Sequence, residues 1–367
     1  MKIPEPVHVR TTAQAILKHY ESQPQQNRPH LGASEIGKPC ERALWYSFRW
    51  TTKKKFSGRI LRLFNTGHRE EARFLDELKA IGAEVHERDE NGKQFQFSAL
   101  GGHFGGSCDA VARGLPEAPK SWAIVEMKTH SSKSFAELEK SSVVKAKPEH
   151  FAQMQVYMGL AEIDRALYLA VNKDTDELYS EWVHFDKDIF QALLNRAERI
   201  INYGTPPEKM SKDPAWYQCK FCDHQSICHQ GEIPQKSCRT CAFSTPKEDG
   251  TWTCGLFKRE LPIAEQRAGC RSHLFIPNLI TFAEPIDSGK DFVSYQGKDG
   301  TVFANVFEDA DRSEENMGTG IVACFTSFEL EGANEKVVLN EFVLEVKQMG
   351  GTLRDVELKG DQDGTRT

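Results

Sequence analysis

Two short stretches constrain this chain more than any others: GGSCDAVARG at 105–114 and AIVEMKTH at 123–130. Both have the texture of strands, with a Gly/Pro-rich turn at 114–119 between them. Strand side chains alternate between faces, so Glu126 and Lys128 point the same way. Asp109, on the preceding strand, can face them across the ladder. Two carboxylates and a lysine on one strand face suit divalent-metal phosphodiester chemistry. Carboxylates hold Mg²⁺ or Mn²⁺, the metal polarises a phosphate and acidifies a water, and the lysine orients the nucleophile. The alternative is a solvated strand face with an incidental ion pair. An acid followed by Glu-x-Lys recurs by chance, so the flanking sequence has to decide.

Residues 64–81 read as a helix, with Phe64, His68, Ala72, Leu75 and Leu78 on one face. His68 directly follows Gly67. Strands are expected across 94–113 and 121–129 as an antiparallel meander, then a helix at 148–162 with Gln153 and Tyr157 four apart on one face. Two more strands (RALYLAVNK and LYSEWVHFD) and a helix at 187–203 follow. Short helices are expected at 10–21 and from a Ser34 cap through Phe48. The segment 130–147, with Lys133, Lys140, Lys145 and Lys147, is long enough to form a mobile loop over the site. The whole is a mixed α/β layer architecture.

Helix with Gly-His, strand with Asp, strand with Glu-x-Lys, helix with Gln-x3-Tyr: this order resembles the RecB-type branch of the PD-(D/E)XK nuclease superfamily over residues 31–230. The resemblance implies a restriction-endonuclease-like core, a mixed sheet flanked by helices. It implies His68, Asp109 and Glu126 as Mg²⁺ or Mn²⁺ ligands, with the Met127 carbonyl completing the site. Lys128 becomes the catalytic lysine, and Gln153 and Tyr157 position it or contact DNA. His86 and His103 are weaker rivals to His68. The usual Pro before the Asp is replaced by Cys108.

The chain has 10 cysteines. With no apolar run near the ~20 residues of a membrane span, and no apolar leader in MKIPEPVHVR, the chain reads as cytoplasmic. In a reducing compartment clustered cysteines are metal ligands before they are disulfides. Cys219, Cys222 and Cys228 form C-x2-C-x5-C and need a fourth ligand, for which Cys40 is the candidate. One Cys before the nuclease core and three after it resembles the iron–sulfur nucleases, such as the AddB nuclease domain and the CRISPR adaptation nucleases. That likeness implies a [4Fe–4S] cluster clasping the two ends of the domain; a zinc site or unlinked thiols are the alternatives. Cys238, Cys241, Cys254 and Cys270 suit a closed structural Zn²⁺ site, with a second iron–sulfur centre or substitution by His273 as alternatives. That segment has few apolar residues and is expected to need its metal to fold. Cys108 and Cys324 read as small buried hydrophobes.

Net charge is −6, but unevenly placed. Residues 284–367 hold 18 acids and 8 bases, whereas 31–62 hold 8 bases and 2 acids. Arg49, Lys53, Lys54, Lys55, Arg59 and Arg62, interleaved with Phe48, Trp50 and Phe56, are candidates for nucleic-acid binding, against a merely solvated loop. No GxxxxGK[ST] phosphate loop occurs, so the chain has no helicase motor of its own.

The expected organisation is an N-terminal helix and linker (1–30), the nuclease domain (31–230), a Cys-rich metal-binding module (231–278) and a small acidic C-terminal α+β or β region (279–367) ending in ~15 tail residues. The expected activity is a Mg²⁺- or Mn²⁺-dependent deoxyribonuclease, an exonuclease on single strands or duplex ends. Recombination, repair or phage DNA processing is the setting the family suggests. A helicase, recombinase or single-strand-binding protein would be its partner, in a bacterial cell or encoded by a phage. The rivals are a non-catalytic nucleic-acid adaptor and an iron–sulfur redox sensor.

Overall fold

A computed structural model describes residues 11–53 and 55–353. The first ten residues, Lys54 of the basic segment and the tail after 353 lie outside the described residues. The elements run α1 (Thr11–Glu21), β1 (Leu31–Gly32), α2 (Glu41–Phe48), α3 (Gly58–Ala80), β2 (Glu84–His86), β3 (Gln96–Ala99), β4 (Phe104–Ser107), β5 (Ala110–Arg113), β6 (Ala123–His130), α4 (Ser132–Ala146), α5 (Pro148–Ala161), β7 (Arg165–Asn172), β8 (Leu178–His184) and α6 (Lys187–Asn202). The described residues form two compact units, 11–38 with 55–197 and 39–53 with 198–353. This division departs from the sequence reading, which placed a boundary near residue 230.

The first unit is built on a five-stranded mixed sheet, ordered β2-β5-β6-β7-β8. All its pairings are antiparallel except β6 with β7. A parallel pair needs a long crossover, and α4 and α5 supply it. The expected single meander is split between two sheets. β4 pairs with β1 on one side and β3 on the other in a separate three-stranded sheet, and only β5 and β6 enter the central sheet. Cys108 and Asp109 lie between β4 and β5, outside both strands, and there the chain changes sheets.

Alternation along β6 sorts its residues. Val125 and Met127 join Leu167 and Val171 of β7 in a core closed by Phe74, Leu75 and Leu78 of α3. Each such fully buried side chain contributes about 1.5–3 kcal/mol, which fixes α3 on this face. The buried stripe of α3 is therefore rotated from the expected one. Phe64 and His68 are exposed, and the stripe runs back from Leu78 through Phe74 toward Glu71 and Gly67. α1 lies so close to α3 that a Cβ on Gly58 would run into the Leu17 carbonyl oxygen, so no side chain fits there.

Segment 130–147 is not a loop but α4, anchored by buried Phe135, Leu138 and Val143. It kinks at Ser142, whose φ is 64°. Just beyond the kink, the Val143 N–H donates to the Glu181 carboxylate at 2.8 Å. Lys133, Lys140 and Lys145 are exposed on it, and Lys147, just after it, is half-buried. Likewise Ser34 caps no helix: α2 starts at Glu41, after Pro39, with Cys40 at its N-cap.

The second unit contains α2, α7 (Tyr217–Lys220), α8 (Gln225–Gln230), the small sheet of β9 (Ser244–Pro246), β10 (Trp252–Cys254) and β11 (Arg259–Glu260), and the sheet of β12 (Ala283–Ser288), β13 (Phe292–Gly297), β14 (Val302–Val306) and β15 (Ala323–Thr326). Leu274 and Phe275 of the Cys-rich segment share one core with Tyr295, Phe303, Phe325 and Leu330. The buried Asn305 amide ties the two parts together. It accepts from the Phe275 N–H at 2.9 Å and donates to Ser327 Oγ at 3.0 Å. The Cys-rich and acidic regions are thus one packed body, and its apolar residues come from both. Arg239 is fully buried, with its guanidinium 3.8 Å from the Trp50 ring centre and 4.5 Å from that of Trp252. It also donates to the Phe48 carbonyl at 3.0 Å.

Lys347 and Glu329 form a buried ion pair at 2.6 Å. Burial raises the Glu329 carboxyl pKa, but the bonds from Lys347 and the Thr326 N–H outweigh it and hold the group below its ordinary value. A depressed carboxylate contributes stability above its unfolded pKa, near ~4.3, that is lost as pH falls through the folded value. Lys347→Met is expected to lower stability by about 3 kcal/mol at pH 7. In urea titrations the loss should shrink as pH drops below about 4.

Candidate active site

β6 places Glu126 and Lys128 on the face opposite the α3 core, and Asp109 stands just before β5. The Lys128 ammonium bonds Glu126 and lies 3.8 Å from Asp109 Oδ2. Asp109 Oδ2 also accepts from the Met127 N–H at 2.8 Å. In a strand the N–H and C=O of one residue leave on the same side, so the Met127 carbonyl faces the Asp109 side too. Glu126 is fully buried, and among the described residues its Oε2 has no hydrogen-bond partner.

Burial dominates the electrostatics here. It pushes Glu126 up to about 7, with Lys128 pulling down and Asp109 pushing up. It also raises Asp109, against the opposing pull of Lys128 and the Met127 N–H. Burial alone would lower Lys128, but Glu126 and Asp109 more than offset it and keep the lysine charged. An unpartnered buried carboxylate oxygen beside a second acid is a fit for a divalent cation.

Gln153 and Tyr157 of α5 line, with Asp109 and Lys128, a cavity of about 680 Å³. Gln153 Nε2 donates to Tyr157 Oη at 3.3 Å. A second cavity, about 410 Å³, is lined by Glu71, Met127, Lys128, His130, Lys147 and His150 among others. Lys128 borders both.

His68 lines neither cavity. Its side chain is 73% exposed and its Nδ1 lies 3.3 Å from Glu71. Glu71, one turn further on, borders the second cavity and pushes up the pKa of both Asp109 and Glu126, while His68 pulls that of Asp109 down. The sequence reading missed Glu71. The signal was there: the apolar stripe Phe74–Leu78 extended back one turn lands on Glu71, not on His68. Of the weaker rivals, His86 is exposed and bonded to Glu84 at 3.0 Å, and His103 is buried.

A family model described as the PD-(D/E)XK nuclease superfamily matches residues 12–229. The chain belongs to this superfamily. No curated protein sequence matches the chain significantly. Among solved structures, an alkaline exonuclease from Laribacter hongkongensis is 15% identical, with a TM-score of 0.33 over 50% of this chain and 90% of its own. A phage-related exonuclease from Haemophilus somnus 129PT is 14% identical, with a TM-score of 0.34 over 47% and 91%. SSO0001 is 16% identical, with a TM-score of 0.35 over 59% and 96%. At this level the likeness is loose and says nothing of activity.

This superfamily member carries both cysteine sets in its second unit. Burial raises the Cys228 thiol, with Cys40 and Cys222 adding to it, and Cys40 likewise adds to the burial that raises Cys219. These four thiols lie within electrostatic reach of one another. Cys238, Cys241, Cys254 and Cys270 line a single cavity of about 90 Å³, with His273 on its wall. Among the described residues, no three His, Cys, Asp or Glu groups converge tightly enough to hold a metal ion as they stand. Cys108 is buried, and Cys324 is half-buried against Met317.

The basic segment is not one surface. Arg49 is 3% exposed, its guanidinium bonded to the carbonyls of Tyr203, Arg239 and Ser244. Phe48 and Trp50 are buried beside it, so these three cannot contact a strand; they build the core of the second unit. Lys53, Lys55, Arg59 and Arg62 are exposed. No helix of the described residues is long and apolar enough to cross a membrane.

A Cβ on Gly106 would stand 2.6 Å from Tyr157 Oη. Gly106→Ala is expected to displace the Tyr157 ring and cost about 1–3 kcal/mol of stability, read from a crystal structure of the variant and its denaturation midpoint.

Proposed function

We propose that this chain is a Mg²⁺- or Mn²⁺-dependent deoxyribonuclease of the RecB-like branch that hydrolyses phosphodiester bonds in single strands or at duplex ends. The observation that carries the reading is the buried, unpartnered Glu126 Oε2 set beside Asp109 and a charged Lys128. Asp109, Glu126 and the Met127 carbonyl would hold the metal, with Glu71 as the third acid in preference to His68, because Glu71 borders the cavity that Lys128 also lines. A bound divalent ion supplies Lewis-acid polarisation of the phosphate and a more acidic water. Lys128, anchored by both acids, would orient the attacking water and balance charge building on the phosphate. Gln153 and Tyr157 shape the larger cavity where the strand lies beside Lys128. Exonucleolytic cutting, a role in recombination, repair or phage DNA processing, and a helicase, recombinase or single-strand-binding partner remain part of this proposal, as does a bacterial cytoplasmic or phage-encoded setting.

The same proposal gives Cys40, Cys219, Cys222 and Cys228 to a [4Fe–4S] cluster and Cys238, Cys241, Cys254 and Cys270 to Zn²⁺. What supports it is the gathering of each set of thiols in one place. Anaerobically purified protein is expected to contain both iron and zinc. Cys40→Ala should lose the iron, and retention of full iron content would remove Cys40 from the ligand set.

Labelled single strands should be cut with Mg²⁺ or Mn²⁺. Asp109→Ala, Lys128→Ala and Glu71→Ala are each expected to reduce the rate by roughly 10²–10³-fold, whereas His68→Ala should stay within a few fold of wild type. Tight DNA binding without cleavage in either metal would make the chain an adaptor instead.

Because Glu126 holds its proton up to about pH 7 without metal, metal loading near pH 6 should release protons. Titration calorimetry in buffers of different ionisation heat measures that release.

A further inference from the structure

The face of β6 that carries Glu126 and Lys128 also carries His130, and β7 sets Tyr168 in register with Glu126. Tyr168 is fully buried, and its hydroxyl is shared by two imidazoles. His130 Nε2 lies 2.8 Å from it and His150 Nδ1 2.9 Å from it. His130 Nδ1 lies 3.1 Å from Ser134 Oγ. The three rings stack, with His130 and His150 6.0 Å apart and tilted by 29°, and His150 and Tyr168 5.8 Å apart and tilted by 26°. His150 borders both cavities that Lys128 borders. Its Nδ1 is committed to Tyr168, and among the described residues its Nε2 has no protein partner. Nothing in the nuclease chemistry above uses this chain of groups.

The proton arithmetic of the chain is restrictive. Tyr168 has one hydroxyl proton, so it can donate to one imidazole and must accept from the other. Burial, then Lys128, His130 and Lys147, keeps His150 neutral down to about pH 3, and burial with Lys147 and Lys128 does the same for His130 down to about 4. Only two arrangements satisfy every bond. In one, Ser134 donates to His130, His130 to Tyr168 and Tyr168 to His150, which leaves the His150 proton on Nε2. In the other, every bond is reversed and Nε2 is a bare acceptor. An anion beside Nε2 selects the first, and each bond in the row strengthens the next.

We propose that His150 is a substrate-contacting residue whose Nε2–H donates to a phosphate oxygen of the nucleic-acid strand lying across Lys128, with Tyr168 and His130 as positioning residues that fix its tautomer. This rests on the nuclease reading and deepens it. The Nε2–H adds a hydrogen bond to the phosphate beside the charge of Lys128.

The test uses the full chain. With a labelled single strand and Mg²⁺, His150→Leu should lose about ten- to a hundredfold in kcat/KM, the worth of one hydrogen bond to a charged group. His150→Gln, which keeps an N–H, should recover part of the loss, and its unchanged melting temperature serves as the folding control. Tyr168→Phe should fall between wild type and His150→Leu. Imidazole ¹⁵N spectra, with Ca²⁺ in place of Mg²⁺, give a readout that does not need turnover. Adding a short oligonucleotide should shift His150 Nε2 and hold its proton there, and Tyr168→Phe should abolish that tautomer preference. Wild-type cleavage with a dead Lys128→Ala and an unaffected His150→Leu would overturn the proposal while sparing the nuclease reading. No cleavage by wild type would sink that reading, and the spectra then decide the His150 contact: a shift on adding oligonucleotide supports it, and no shift overturns it.

Discussion

One lysine makes the site possible. Asp109 and Glu126 are acids placed in a buried setting, and without Lys128 between them their charges would repel in a medium that screens poorly. Even with it, burial holds a proton on Glu126 near neutrality. A strained balance of this kind is costly for a resting protein, and it is held by the packing around it. Val125 and Met127 bury on the opposite face of the strand, so β6 cannot slip its register without turning its charges into the apolar core.

Much of this was legible in the sequence, and for a physical reason. Strand alternation with a two-residue period puts Glu126 and Lys128 together with no further knowledge, and the four-residue spacing of Gln153 and Tyr157 does the same on α5. The helix was harder. A stripe on a 3.6-residue period can be drawn through several sets of residues, and the set containing Phe64 and His68 competes with the one containing Phe74. Only packing decides, and it chose Phe74, bringing Glu71 to the cavity wall while His68 stays exposed beside it. The His130–Tyr168–His150 row was invisible because its members come from three elements and meet only when β6 and β7 pair.

The basic segment teaches the opposite lesson. Aromatic residues interleaved with cations read equally well as a strand-binding surface or as a cation–aromatic core, since both use the same attraction. Here the attraction is turned inward. Arg49 lies against Trp45 and Trp252, and Arg239 against Trp50 and Trp252. Composition could not separate these cases, because the second ring comes from β10, far along the chain.

That arrangement has a consequence for how the chain is made. The Phe48 carbonyl and the Arg239 guanidinium that bonds it are 191 positions apart. On a ribosome adding residues one by one, α2 emerges early and must keep Trp45, Phe48 and Trp50 uncovered while the whole of the central sheet is synthesised. Completion of the second unit is therefore a late event, closed only when the last third of the chain arrives. A message truncated shortly after the Cys228 codon would leave a protein that has Asp109, Glu126 and Lys128 but also an aromatic segment stripped of the rings and cations that cover it.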